Sequence, residues 1–458
     1  MVFHCPFITW DKNLANIIYL GLCFFVAMAS NSTIVNLQKI LTTSIYDENE
    51  VFAGDGYVGL AINYVFLAGS IWLTPIMMTY IGIKNALVIG AIGDFIYGLS
   101  FYLESAAAFY VICALTGISH SLLWTGQGAY LIENSSSKTI NRDSLIFYFL
   151  YHIATPVGNS LAFLQLNGIT KIHSETRVSI LNCLNSIGAL SVIMFLFLPP
   201  VTKFEKSKTE QLLETNKGVD ALFKAWKVFT NKDMVILVLV FIYTGFQVAF
   251  SETIYNSSVG FTLSLEQEAK ELVPLAAVYS GVGTILGVFP QVFFKFRPCR
   301  WEKSINMLIG TACQDISYIL SLLNLPDQSA FGDNLDMGLY LNSVPVAMMS
   351  SALLSVGNIC IHTYIASLLY EMYHEESEAV SAVSCFVEFA ASAACFFYST
   401  MIGLHYQLVL LMGFSILGLI AFLRVDTKVT NQQIKQEKLA KIKDLQLEIG
   451  INRTISNQ

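Results

Sequence analysis

Lys203-Phe204-Glu205-Lys206-Ser207-Lys208-Thr209-Glu210 breaks a chain that is apolar for long stretches on either side. The run opens a polar gap at residues 199–231, and seven lysines fall between 203 and 232. A helix crosses the hydrocarbon of a bilayer with about 20 apolar residues. Before the gap, stretches of that kind lie near 13–38, 56–80, 85–103, 106–132, 143–166 and 177–198. After it they lie near 232–255, 271–294, 304–324, 339–370, 379–402 and 406–424. The pattern is six spans, a gap and six spans.

Composition agrees. Of 458 residues, 54% are apolar and 13% charged, about half the charged share of a soluble domain, roughly 25%. The spacing therefore predicts an all-α, polytopic membrane protein with about twelve transmembrane helices in two six-helix halves. The expected divisions are a cytoplasmic N-terminus at 1–12, the first half at 13–198, a cytoplasmic central loop at 199–231, the second half at 232–424 and a cytoplasmic tail at 425–458. Within the loop, Val219, Leu222, Phe223, Trp226 and Phe229 recur at helical spacing with lysines between them. That pattern suits an amphipathic helix, lying either on the inner leaflet or on the protein's own face.

Basic residues set the direction, because cytoplasmic loops collect Lys and Arg. With the N-terminus inside, only Lys39, Lys171, Arg177 and Lys270 of the 26 basic residues fall outside. Both termini are therefore expected in the cytoplasm, in the plasma membrane or an endomembrane. Ala27-Met28-Ala29 resembles a signal-cleavage site, but the apolar stretch is too long for a signal core and its basic flank is poor. Of the N-x-S/T sequons, Asn256 alone is expected on the outer side, close to the membrane, as a glycosylation site.

The halves echo each other. Leu60-Ala61-Ile62-Asn63-Tyr64 in the second span matches Leu275-Ala276-Ala277-Val278-Tyr279 in the eighth. Tyr19-x-Gly21 in the first matches Tyr243-x-Gly245 in the seventh. Duplicated six-helix halves are the architecture of the major facilitator superfamily. By analogy with that fold, spans one, four, seven and ten line a central cavity. Asn36, Gln38, His120, Trp124, Gln127, Gln247, Glu252, Asn358 and His362 would then face it, with Asn31 beside them. Such groups bind a solute or carry a proton, or they simply hydrogen-bond between helices at about 0.6 to 2 kcal/mol each. Intramembrane acids are costly and so are also candidates. Asp94, Asp315 and Glu388 lie on spans less central by this analogy, where structural pairing is the plainer expectation.

Nothing in the sequence points to an enzyme, a cofactor, a metal or nucleic acid. There is no HExxH, CxxC or phosphate-binding loop, and the nine cysteines show no metal-ligand spacing.

Several stretches resemble the Unc-ninety-three family, a branch of the major facilitator superfamily. They include Leu123-Trp124-Thr125-Gly126-Gln127-Gly128 with Asn134-Ser135 and Arg142, and Val219-Asp220-Ala221-Leu222-Phe223-Lys224. Gly56-Tyr57 and Phe396-Phe397-Tyr398-Ser399 with His405-Tyr406-Gln407-Leu408 fit as well. The resemblance implies a regulatory or accessory subunit: the founding member regulates potassium channels and another escorts receptors. A proton-coupled carrier of a small solute is the alternative that the fold suggests. One departure bears on the choice. Facilitators usually carry G-x-x-x-D-R-x-G-R-R between spans two and three; here the loop reads Gly82-Ile83-Lys84-Asn85, without the Asp-Arg pair.

Overall fold

The computed structural model describes residues 12–136, 139–200, 226–267, 269–297, 299–373 and 377–456. Among them there is no strand, only a single bridge between Thr262 and Asn334. The first half contains α1 (Lys12–Glu48), α2 (Gly56–Ser70), α3 (Thr74–Ile81), α4 (Ile83–Leu99), α5 (Ala106–Glu133), α6 (Ile140–Leu166) and α7 (Ser174–Leu196). The second contains α8 (Lys232–Ala249), α9 (Tyr255–Phe261), α10 (Leu272–Phe296), α11 (Glu302–Asn324), α12 (Val344–Met372), α13 (Ser377–Tyr398) and α14 (Leu404–Ser456).

Nine of the described helical segments are long and apolar enough to cross a bilayer, and the bent pair α2–α3 makes a tenth. The remaining two spans, α6 and α11, have the length, 27 and 23 residues, but more polar side chains. In α11 those polar groups are turned inward: Asn306, Thr311, Gln314, Ser317, Ser321 and Asn324 are all buried. A helix inside a bundle needs lipid-compatible side chains only on its outer face, so mean hydropathy understates it.

The second span breaks rather than running through 56–80. Pro75 stands in the first turn of α3, and α2 and α3 meet at 73°. Proline has no N–H to return to the carbonyl four residues back and its ring crowds that carbonyl, so the helix kinks there. From α3 the chain turns into α4 on Gly82 alone, at φ 79°, a left-handed conformation that glycine adopts at no steric cost. The seventh span also changes pitch: α8 passes into α9 through a π-helical turn, Phe250–Ile254.

Packing repeats with a two-fold pattern. In the first half α1 packs on α6 and α7, α5 on α2 and α4, and α4 on α7. In the second, α8 packs on α13 and α14, α12 on α10 and α11, and α11 on α14. The halves meet where α2 lies on α13 and, equivalently, α6 on α10. The sequence echoes follow the same symmetry. Gly21 lies against Leu150 of α6, and Gly245 against the backbone of Glu388 on α13.

Of the expected amphipathic helix, Val219, Leu222 and Phe223 lie outside the described residues. Residues 226–229 are helical, with Trp226 exposed and Val228 buried. The tail continues as helix: α14 runs for 53 residues, about 80 Å at 1.5 Å per residue.

Candidate functional site

The site is built where the halves meet, and one end of the bundle is closed over it. At the end carrying Glu48, α1 packs against the π turn, α9 and α10. Ile34, Leu37, Ile40, Leu41 and Ile45 of α1 share a buried cluster with Phe261 and Val273 of the second half. Gly168 N–H donates to Glu271 across the halves at 3.0 Å. All four basic residues at this end are paired with acids. Lys39 pairs with Asp55, and Lys270 with Asp333. Arg177 lies 3.1 Å from Glu48, and Lys171 3.0 Å from Asp47. The Asp47 carboxylate, hydrogen-bonded to the exposed Lys171, holds that ammonium above the usual lysine range. At the opposite end Asn16 bonds to Asn134 within the first half, and Lys303 pairs with Glu371 and Asp426 within the second.

Between these ends lie the ionisable groups. His120 on α5 places Nε2 2.5 Å from Oδ1 of Asp94 on α4. Asn31 of α1 brings Nδ2 to 3.3 Å from the same ring nitrogen. In the second half, His362 on α12 lies 3.9 Å from Glu388 on α13. Because α5 and α12 are the equivalent helices of the two halves, each half supplies one histidine with one carboxylate.

Glu252 sits between the two pairs, within electrostatic range of both His120 and Glu388. It lies in the π turn. An extra residue in one helical turn shifts the register of side chains, and such turns recur at functional sites. Glu252 is surrounded by protein on every side and yet solvent-exposed. That combination describes a carboxylate on the wall of an internal cavity. Tyr64 OH donates to its Oε2 at 3.4 Å, and the Tyr64 ring stands 6.0 Å from Phe389 and 5.5 Å from Phe396.

The other expected cavity residues divide. Trp124 is half-buried between Phe24 and Tyr151, at 5.6 and 5.3 Å. Gln127 is buried with no partner at Nε2, and Asn358 is half-buried with none at Oδ1. Gln247 is held by Ser251, 3.2 Å away. Asn36 and Gln38 rivet helices together: Asn36 bonds to Asn159 of α6 at 3.3 Å, and Gln38 to the Gly56 carbonyl at 2.7 Å. Asp315 accepts from Ser415 of α14 at 2.6 Å, apart from the cluster. Asp94 and Glu388, placed by fold analogy on less central spans, are the carboxylates that reach the histidines. Tyr64 is a site residue that span-by-span reading passed over, although the tyrosine echo between spans two and eight marked it.

The expected glycosylation site, Asn256, lies inside the bundle. Every residue of α9 is buried, and Asn256 is 2% exposed, its Nδ2 donating to the Glu252 carbonyl at 3.0 Å. The sequon is packed where α1 of the first half meets the second half, and we propose that it carries no glycan. Asn256→Gln is expected to leave electrophoretic mobility unchanged with and without endoglycosidase; a mobility shift in the wild type that this substitution removes would contradict the burial.

Solved structures with this arrangement are facilitator-type transporters. A POT family transporter in complex with 5-aminolevulinic acid superposes with TM-score 0.63 at 13% identity, over 93% of this chain and 98% of that one. The nucleoside transporter NupG gives 0.56 at 15% identity, over 91% and 99%. At such identities the likeness shows the fold: a polytopic protein of the major facilitator type. The family model for the ion channel regulatory protein UNC-93 matches residues 47–423, and the chain belongs to that family. UNC93-like protein MFSD11 of Xenopus laevis is 27% identical over 447 residues, 93% of this chain and 98% of the relative. Human protein unc-93 homolog A is 20% identical over 454 residues, 90% and 93% respectively.

Proposed function

We propose that this chain is a non-catalytic regulatory or accessory subunit of an ion channel of the potassium type, or of a membrane receptor. We place it in the plasma membrane or an endomembrane with both termini cytoplasmic, on the distribution of Lys and Arg. The observation that carries the reading is the match to the ion channel regulatory family across residues 47–423. The α3–α4 connection supports it. It turns on one glycine and lacks the Asp-Arg latch of ordinary facilitators. Co-expression with a panel of potassium channels in oocytes is expected to change the current of at least one, and the two proteins to co-purify. Unaltered currents across the panel with no co-purification would sink the proposal.

A second reading, a secondary solute carrier, is favoured by one observation: histidine–carboxylate pairs from both halves around a cavity closed at the Glu48 end. Saturable metabolite uptake into proteoliposomes, driven by a pH gradient, would support it.

A further inference from the structure

We infer that the central cavity binds a small organic ammonium ion, with Glu252 as its counter-charge and Tyr64 and Phe389 as its aromatic wall. The inference concerns binding, and it stands whether the chain acts as a regulator or a carrier.

Charge comes first. Around the cavity there are three carboxylates, Asp94, Glu252 and Glu388, and two histidines. If both histidines carry a proton, they offset Asp94 and Glu388, and Glu252 is left over. If both are neutral, three negative charges remain. With the three carboxylates ionised, the balance is negative either way. Among the described residues no Lys or Arg reaches this depth. The four at the closed end are consumed in their own pairs. Lys303 is likewise paired at the opposite end, with Glu371 and Asp426. An anion would therefore find no counter-charge here.

Hydrogen bonding points the same way. Asn31 is 5% exposed and its Oδ1 accepts from nothing; Asp94 is 6% exposed, and while His120 meets its Oδ1, its Oδ2 has no hydrogen-bond donor. Buried acceptors left without donors are costly, and a ligand rich in N–H groups relieves them. Glu252 itself receives only the long bond from Tyr64.

Shape selects an organic cation over a metal ion. Among the described residues no three acidic, histidine or cysteine side chains converge at metal-ligand geometry. What lies beside Glu252 is aromatic: Tyr64 against Phe389 and Phe396, and Tyr151 within electrostatic range. A cation over the face of an aromatic ring beside a carboxylate is the arrangement that recognises ammonium groups.

The test uses the full chain in nanodiscs and three probes of increasing size: ethylammonium, choline and 2-phenylethylammonium. The controls are 2-phenylethanol, which is neutral, and phenylacetate, which is anionic. Saturable binding of at least one ammonium probe is expected, with neither control competing. Glu252→Gln is expected to weaken that binding about tenfold or more, the size of effect a buried charge pair carries, and Phe389→Leu to weaken it several-fold. Both variants should elute as the wild type does on size exclusion, which separates lost binding from lost fold. No saturable binding by folded wild type at millimolar probe would overturn the inference. So would equal competition by 2-phenylethanol, or unchanged affinity in Glu252→Gln. None of these outcomes depends on a channel, so failure here leaves the regulatory reading to its own test.

Discussion

Gly283→Leu is expected to abolish recovery of folded protein, and Gly117→Leu to do the same from the other half. The two glycines occupy equivalent joints. Gly117 of α5 faces α2, and a Cβ there would stand 2.2 Å from the Asn63 carbonyl oxygen. Gly283 of α10 faces α12, and its Cβ would stand 2.0 Å from the Ala352 carbonyl oxygen. In both cases the obstacle is helix backbone, which has no rotamer to change. The only relief is to push two spans apart, and each of these spans also packs elsewhere in its half or across the seam. Without a hydrophobic drive between helices in lipid, close packing holds the bundle together, and small residues permit it. Overpacking a well-filled interior typically costs about 1 to 3 kcal/mol, and more where nothing can yield. Leucine against a backbone carbonyl belongs at or above the top of that range, a large share of a membrane protein's total stability. Gly413→Leu is the control, since a Cβ at Gly413 meets nothing within 4 Å. Size-exclusion chromatography of fluorescently tagged protein reads the result: a sharp peak for Gly413→Leu, and aggregate for the other two. A monodisperse Gly283→Leu protein with wild-type melting would show that α10 and α12 are not so closely joined.

How much of this was readable before the fold was known depends on which physical effect decided each feature. The twelve spans were legible because hydropathy reports the lipid-facing surface, and the polar gap at 199–231 marks the middle. Even α6 and α11 could be located, since one apolar face is enough to mark a span. The break at Ile71–Leu73 was hidden because Pro75 is common in intramembrane helices and only packing decides whether it bends one. The π turn at Phe250–Ile254 leaves no mark in hydropathy, yet it is what puts Glu252 in its exposed position within the bundle. Fold analogy ranks spans by how central they are, not by how far a side chain reaches. Asp94 and Glu388 were therefore expected in structural pairs away from the cavity, although α4 packs along α5 and α13 touches α12, close enough for both acids to meet histidines. A sequon is read from three residues and carries no information about burial. The burial of Asn256 was therefore hidden.

The pair at the centre gives the second large effect. His120→Leu is expected to destabilise the protein by about 3 to 5 kcal/mol, the cost of leaving one partner of a buried pair uncompensated. Asp94, 5% exposed at its side chain, would then lose the ring nitrogen that pairs with it. A neutral hydrogen bond between membrane helices is worth far less, about 0.6 kcal/mol on average and under about 2 at most. The magnitude therefore decides which interaction the 2.5 Å contact represents. Adding Asp94→Asn to His120→Leu removes the stranded charge, so the double variant is expected to recover more than half of the loss. The coupling energy should lie near 2 to 3 kcal/mol, at the upper end of roughly 0.5 to 3 for residues in contact. Unfolding by steric trapping in bicelles supplies the free energies. Additivity of the two substitutions to within about 0.5 kcal/mol would mean that the pair is not coupled. The outcome also bears on the cavity. A strong coupling means that Asp94 is an ionised acid neutralised by its own histidine. Glu252, whose hydrogen-bond partner is the uncharged Tyr64, is then the carboxylate on which a cationic ligand must rely.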